Sequence, residues 1–359
     1  MLVSAHPTTA DSPAPPNPAP SPVRVGIVVF DGVTMLDASG PAEALHLAGR
    51  SGGSYAVDFL SPHGGTVATS SGMAIADTIP ARAAGAVDTL VVAGAEHLAG
   101  PAVDPDLLTA VEALAGPARR VASVCTGAFV LAELGLLDGR RATTHWRHAS
   151  ALARRYPAID VDPDVIQLRD GRFLTSAGIT AGIDLSLALI EDDLGAEAAR
   201  STARELVVFL QRPGGQSQFA AAPMPASPDP VLRPVIEAVR ADPAGDHTAP
   251  ALAARAAVSP RHLSRLFDRE IGMPPTRWVE SVRLEQAQRL LLEGASVTRA
   301  AQRSGFGSDE TLRRVFARHL RTTPSEYRDR FRTTERDTTG HGGTTDRVDS
   351  TTAVAPGKK

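Results

Sequence analysis

Three residues far apart in the chain have the types that a small-molecule site would use. Cys125, in "SVCTGAF", is the only cysteine. It follows the apolar run "RRVASV" and precedes "TGAFVLAELGLL", a helix-forming stretch. A side chain at such a strand-to-helix turn projects above the carboxyl edge of a sheet, in strained backbone, with a helix N-terminus beneath it. The helix dipole and the free N–H groups there favour a thiolate. Asp37, in "FDGVTMLDASGP" just after the first apolar run, could exchange a proton with that sulfur, since ligands of open α/β sheets collect at these strand ends. Residue types alone leave blander roles open. A free Cys is often a small buried hydrophobe, Asp37 could be a helix cap, and His145 in "RATTHW" could be a structural or surface imidazole.

A second chemistry lies near the C-terminus. Two stretches, "ALAARAAVSPRHLSRLFDREIG" and "SVTRAAQRSGFGSDETLRRVFARHL", share one plan, with Ser259 and Ser308 at matching places 49 positions apart. Each has a short Ala-rich helix, a turn, and a second helix opened by a capping serine, which is a helix-turn-helix. Outside the apolar stripe the second helix of the first unit presents Arg261, His262, Ser264 and Arg265, and that of the second presents Ser308, Glu310, Arg313 and Arg314. Arg suits guanine edges, Glu can accept from cytosine N4, and hydroxyl and spare guanidinium groups reach phosphate. A helix over 274–294 joins the units and spans about 30 Å at 1.5 Å per residue. DNA offers its major groove to one face about every 34 Å, so double-stranded DNA is the expected partner.

These groups need elements to hold them. Apolar runs at 23–30, 55–60, 89–94 and 120–124 read as buried parallel strands, alternating with helices at 40–50 and 105–116. A hairpin around Asp170-Gly171 and a helix over 179–194 complete an α/β sheet covered on both faces. From 229 to 331 the apolar period becomes helical throughout. The expected order is a Pro/Ala-rich segment without fixed structure at 1–22, an α/β domain at 23–212, a Pro/Gly-rich linker at 213–230, a helical domain at 231–331 and a structureless tail at 332–359.

Charge follows the same division. Residues 1–228 carry 15 basic and 23 acidic side chains, whereas residues 229–331 carry 17 and 13. The positive half is the one expected to meet a polyanion. One cysteine excludes an internal disulfide and any multi-cysteine zinc site, and the sequence carries no expectation of a metal or cofactor. No apolar run approaches the 18 or so residues of a membrane span, and the first residues lack a signal-peptide pattern. Both point to a soluble, cytoplasmic protein.

Residues 245–328 resemble the DNA-binding domain of the AraC/XylS regulators, through "SPRHLSRLF", the strut residues Arg283, Ala287, Leu290 and Leu291, and "GFGSDETLRRVFARHLRTTPSEYR". Arg321 departs from the pattern, where glycine is commoner. Residues 23 to about 212 resemble the DJ-1/PfpI superfamily, through "SVCTGAF", "RATTHW" and "LTSAGITAGIDLSLALIE". The resemblance implies a flavodoxin-like α/β sandwich that dimerises. "GVTMLDASGP" and "CTG" are similar to motifs of isocyanide hydratases, which would make Cys125 a nucleophile, Asp37 its carboxyl partner, Thr126 a hydrogen-bonding neighbour and His145 the superfamily's histidine near the thiol. The order of the two domains resembles the GlxA family of transcriptional regulators. It implies a homodimeric DNA-binding regulator whose pocket senses a small metabolite. The alternative is an isocyanide hydratase- or amidase-like enzyme with DNA binding added, and a protease- or deglycase-like enzyme with a helical appendage is a third class.

Overall fold

A computed structural model describes residues 22–50, 55–210, 215–216 and 229–331. Apart from Pro22, the two terminal segments expected to lack fixed structure lie outside the described residues. The first half runs β1 (Val23–Val28), α1 (Met35–Arg50), β2 (Tyr55–Ser61), β3 (Gly65–Ala68), β4 (Ala74–Pro80), β5 (Thr89–Val92), α2 (Pro105–Ala115), β6 (Arg120–Val124), α3 (Gly127–Glu133), β7 (Arg141–Ala142), α4 (Trp146–Arg155), β8 (Asp160–Val161), β9 (Gln167–Asp170), β10 (Phe173–Ser176), α5 (Ala181–Leu194) and α6 (Ala196–Glu205).

The main sheet has eight strands in the order β3-β4-β2-β1-β5-β6-β10-β9. Pairings among β2, β1, β5, β6 and β10 are parallel, and β9 closes one edge antiparallel. Successive residues of the central strands point to opposite faces, so a strand covered on both must be apolar throughout. All four residues of β5 are buried accordingly. Leu90 and Val92 pack toward α2, α3 and α4, and Val91 packs toward α1, α5 and α6. Each fully buried side chain of this size contributes about 1.5 to 3 kcal/mol relative to exposure. This is the flavodoxin-like α/β sandwich expected.

Two features differ from expectation. Helix α1 begins at Met35, five residues before the expected start at 40, and carries Pro41 inside it. A proline in the second turn removes one hydrogen bond, and Gly40, Pro41, Ala44 and Leu45 are buried, so packing outweighs that loss. The β3–β4 hairpin had no expectation at all. Its strands mix exposed and buried positions, which leaves little apolar signal.

The second half is helical, with α7 (Arg233–Ala241), α8 (Ala249–Arg255), α9 (Pro260–Ile271), α10 (Pro275–Leu292), α11 (Val297–Arg303), α12 (Asp309–Leu320) and α13 (Pro324–Phe331). It has two cores. The first joins Val235, Leu252, Leu263 and Phe267 to Trp278, Val279 and Val282 of α10. The second joins Leu312, Phe316 and Tyr327 to Leu284, Ala287, Leu290 and Leu291 of the same helix. Helix α10 is therefore a strut whose two halves each complete one unit. It has 18 residues, about 27 Å, because Pro274 serves as its N-cap and Glu293 as its C-cap. Ser259, Ser296 and Ser308 accept the N–H of His262, Arg299 and Thr311, capping α9, α11 and α12, the first and last as their positions suggested. Arg321 ends α12 in the left-handed region at φ 50°, so the helix stops where a glycine would stop it, with a side chain that strains the turn.

Candidate functional site

The carboxyl ends of four parallel strands meet around Cys125. β1 leads to Thr34 and Asp37, β5 to Gly94 and Ala95, β6 to Cys125 and Thr126, and β10 to Ala177, Gly178 and Ile179. Cys125 sits at φ 57°, the strained turn expected of a side chain lifted off a strand end. Its N–H donates to the carbonyls of Ser176 (3.2 Å) and Ala177 (3.0 Å), and its own carbonyl accepts the Thr144 hydroxyl at 2.7 Å. Thr126 Oγ1 donates to the Ala95 carbonyl at 2.7 Å and accepts the Ala95 N–H at 2.8 Å, tying β6 to the loop after β5.

Asp37 is fully buried. Oδ2 accepts the Gly94 N–H at 3.1 Å, and Oδ1 has no well-aligned donor. Burial pushes this carboxyl up to about 7, against the lowering pull of the Gly94 N–H, the Cys125 side chain and the Ile179 N–H. Gly94 is required by close approach, since a Cβ there would lie 2.7 Å from Asp37 Oδ2 and 2.8 Å from Cys125 Cβ.

The resting thiol departs from expectation. Helix N-terminus and N–H groups were expected to favour the thiolate, yet burial, reinforced by the Asp37 charge, pushes Cys125 up to about 12. The Thr126 N–H and hydroxyl and the Ile179 N–H pull the other way without winning. Cys125 is only 8% exposed, and removing an ion from water costs more here than three donors return. At neutral pH the site therefore holds a neutral thiol beside a carboxyl close to its midpoint. The pair can donate and accept hydrogen bonds and move one proton without carrying a fixed charge.

His145 stands at one remove. It caps α4, its Nδ1 accepting the Arg147 N–H at 3.2 Å, and its ring packs against Gly178, one residue from Ile179. The groups that set the thiol are Asp37, Thr126 and Ile179. Burial, then the charges of His148 and Arg147, hold His145 down near 4, so it is neutral at physiological pH and cannot act as a cation toward the sulfur. Sequence reasoning missed Gly94, Gly178 and Ile179. A glycine two residues past the end of each of two strands, β5 and β10, was the available signal.

In the helical half, Arg261, His262, Ser264 and Arg265 on α9 are exposed, as are Ser308, Glu310, Arg313 and Arg314 at the start and along α12. Among the described residues Arg261, Arg313 and Arg314 are in no ion pair, so their guanidinium groups are available. The Arg265 guanidinium lies 3.3 Å from His262 Nδ1. Ser264 and Ser308 spend their hydroxyls inside the helices, on the Pro260 carbonyl and the Thr311 N–H. Between the two units lies a cleft of about 440 Å³, lined by Thr248, Thr276, Arg283, Thr311, Arg314 and Arg318 among others. The same cleft holds Asp246 and Glu280, and Arg318 is paired with Glu280 while Arg283 donates to the Pro243 and Gly245 carbonyls, so among the described residues Arg314 is the guanidinium there without an ion-pair or hydrogen-bond partner. Among the described residues no cluster of three His, Cys, Asp or Glu could hold a metal, and no helix is long and apolar enough to cross a membrane.

Comparison with known proteins matches both halves. Residues 23–192 match the DJ-1/PfpI family, and residues 252–330 match a helix-turn-helix domain family. The HTH-type transcriptional regulator GlxA of Rhizobium meliloti is 30% identical over 311 residues, covering 86% of this chain and 96% of that protein. The HTH-type transcriptional regulator CdhR of Pseudomonas aeruginosa is 32% identical over 317 residues, covering 84% and 90%. An isonitrile hydratase of Pseudomonas putida is 31% identical over 256 residues, covering 68% of this chain and 98% of the enzyme.

Proposed function

The chain belongs to the HTH-type transcriptional regulators that join a DJ-1/PfpI domain to an AraC-type helix-turn-helix domain, and we propose that its Cys125–Asp37 pocket is a receptor for a small metabolite. It is a DNA-binding regulator of transcription. The carrying observation for the receptor is Asp37, a fully buried carboxyl with one oxygen left without a well-aligned donor, next to a neutral thiol. A buried acceptor is costly to leave unmade, so a guest offering an N–H or O–H group gains a strong bond there. The exposed apolar Leu36 and Ile179, neighbours in the chain of Asp37 and of Gly178, suit an effector with an apolar body. An amine or an amino-acid derivative has both parts.

On this reading the protein works in the cytoplasm as a homodimer, and the effector changes how its two helical domains are presented to an operator. Arg261, His262, Arg265, Glu310, Arg313 and Arg314 read bases, while Ser264 and Ser308 shape the helices that carry them. The test is a thermal-shift screen of amines, amino-acid derivatives, amides and isocyanides on the wild type and on Asp37→Asn. A compound that stabilises the first and not the second supports the receptor. Equal stabilisation of both refutes the assignment to Asp37.

The similarity to an isonitrile hydratase favours a second reading, in which Cys125 turns over an isocyanide. Sulfur would add to the terminal carbon as a proton reaches the adduct, and water would then release an N-substituted formamide and restore the thiol. A thiol pushed up to about 12 is a poor start for that step. Formamide production that vanishes in Cys125→Ser would establish it.

A further inference from the structure

The stretch between the domains reads as a spacer, yet two of its residues, Gly215 and Gln216, are buried against the α/β domain. Gln216 is 2% exposed. Its Nε2 donates to the Thr144 carbonyl (2.9 Å), the Val165 carbonyl (2.9 Å) and Thr143 Oγ1 (3.2 Å), and its Oε1 accepts the Trp146 N–H at 2.7 Å. The carboxamide has only this orientation, because turning it over would set its oxygen against two carbonyls. Its backbone N–H also donates to the Asp164 carbonyl, at 2.6 Å. Gly215 has no room for a side chain, since a Cβ there would collide with Asp164.

The partners of Gln216 are the turn that carries His145. Thr144, whose carbonyl Gln216 holds, donates its hydroxyl to the Cys125 carbonyl at 2.7 Å. Trp146, whose N–H Gln216 accepts, opens α4. Thr143 is pinned to β10 through the Thr175 hydroxyl at 2.8 Å. Residue 145 is thus bracketed by two bonds to the linker, and one hydroxyl separates that turn from the pocket cysteine. Anything that displaces the 143–146 turn must break bonds to Gln216, and anything that pulls Gln216 out loosens the turn.

We propose that Gln216 is a positioning residue that latches the interdomain linker to the sensing pocket, so that a change at Cys125 and release of the linker are one event. The proposal rests on the reading of the Cys125–Asp37 site as the sensing pocket. A latch of this kind gives the pocket a direct mechanical route to the DNA-binding domain, since the strand end, the turn and the linker share one hydrogen-bond network.

The test uses the full chain and iodoacetamide, which labels one site because the chain has one cysteine. Exchange at the Trp146 amide reads the latch, and the alkylation rate at Cys125 reads the pocket. Gln216→Ala and Gly215→Ala are each expected to speed Trp146 exchange at least tenfold and to change alkylation at least threefold, with amides of β1 and β5 still protected. Gln216→Glu keeps size and acceptor but loses the donors, and is expected to behave as Gln216→Ala at pH 7.5. In the reverse direction, alkylating wild-type Cys125 should speed Trp146 exchange, while iodoacetamide should leave Cys125→Ser unchanged. Unchanged alkylation in Gln216→Glu, or unchanged Trp146 exchange after alkylation, overturns the latch. Either result leaves the pocket free to act as a receptor, and failure of the effector screen leaves the latch standing.

Discussion

Replacing Asp37 by Asn tests the electrostatics of the pocket without changing its shape. In the folded chain this carboxyl is raised from 3.8 to about 7, chiefly by burial. Between those values the native state holds a proton that the unfolded state has released, so stability falls as pH rises through that window. At 1.36 kcal/mol per pH unit the difference is worth about 4 kcal/mol, complete above pH 7. Asparagine does not titrate, and its side-chain oxygen still accepts the Gly94 N–H. The variant should therefore match the wild type within about 1 kcal/mol at pH 4 and exceed its stability by up to about 4 kcal/mol at pH 8. Urea unfolding is read by Trp146 fluorescence in a Trp278→Phe background, since Trp146 and Trp278 are the only two tryptophans and lie in different domains. Subtracting variant from wild type removes the titration of every other group. A difference that is flat across pH 4 to 8, or that grows in the opposite direction, refutes the argument that burial raises the Asp37 carboxyl.

Three further outcomes follow from other parts of the chain. Arg261→Ala and Arg265→Ala should each cost about 1 to 3 kcal/mol at one base pair and relax specificity there, measured by competition binding against a library of sites. If both bind preferred and random DNA as the parent does, α9 does not read bases. Arg321→Gly should raise the stability of the helical domain by about 1 kcal/mol by relieving the left-handed turn at φ 50°, measured by urea unfolding read from Trp278, and a loss would contradict that account. Gly178→Ala should cost about 1 to 3 kcal/mol because its methyl meets the His145 ring, and the cost should shrink in a His145→Ala background, a double-mutant cycle that additivity would sink.

Much of this architecture was legible. The β-branched runs at β1 and β5 announce strands buried on both faces, and Ser259 and Ser308 announce the helices they cap. The two-core design of the helical domain was implicit in the repeated units, although only the packing shows α10 divided between Trp278 on one side and Leu291 on the other. What stayed hidden depends on contacts distant in sequence. The state of the Cys125 thiol turns on how deeply Asp37, Gly94 and Ile179 enclose it, and the helix dipole that favoured a thiolate is the smaller effect. Gln216 was invisible for a similar reason. A glutamine among prolines and glycines carries no periodicity, and its role exists only once Thr144, Trp146 and Val165 surround it.

The account stands most directly on how the chain meets DNA. Genomic sites bound by the full chain are to be mapped and footprinted, beside the chain carrying Arg261→Ala and Arg313→Ala together. The account predicts discrete sites, each protected in two successive major grooves about 10 base pairs apart, and loss of that protection in the double variant. Binding spread without preferred sites, or an unchanged footprint in the double variant, would contradict it.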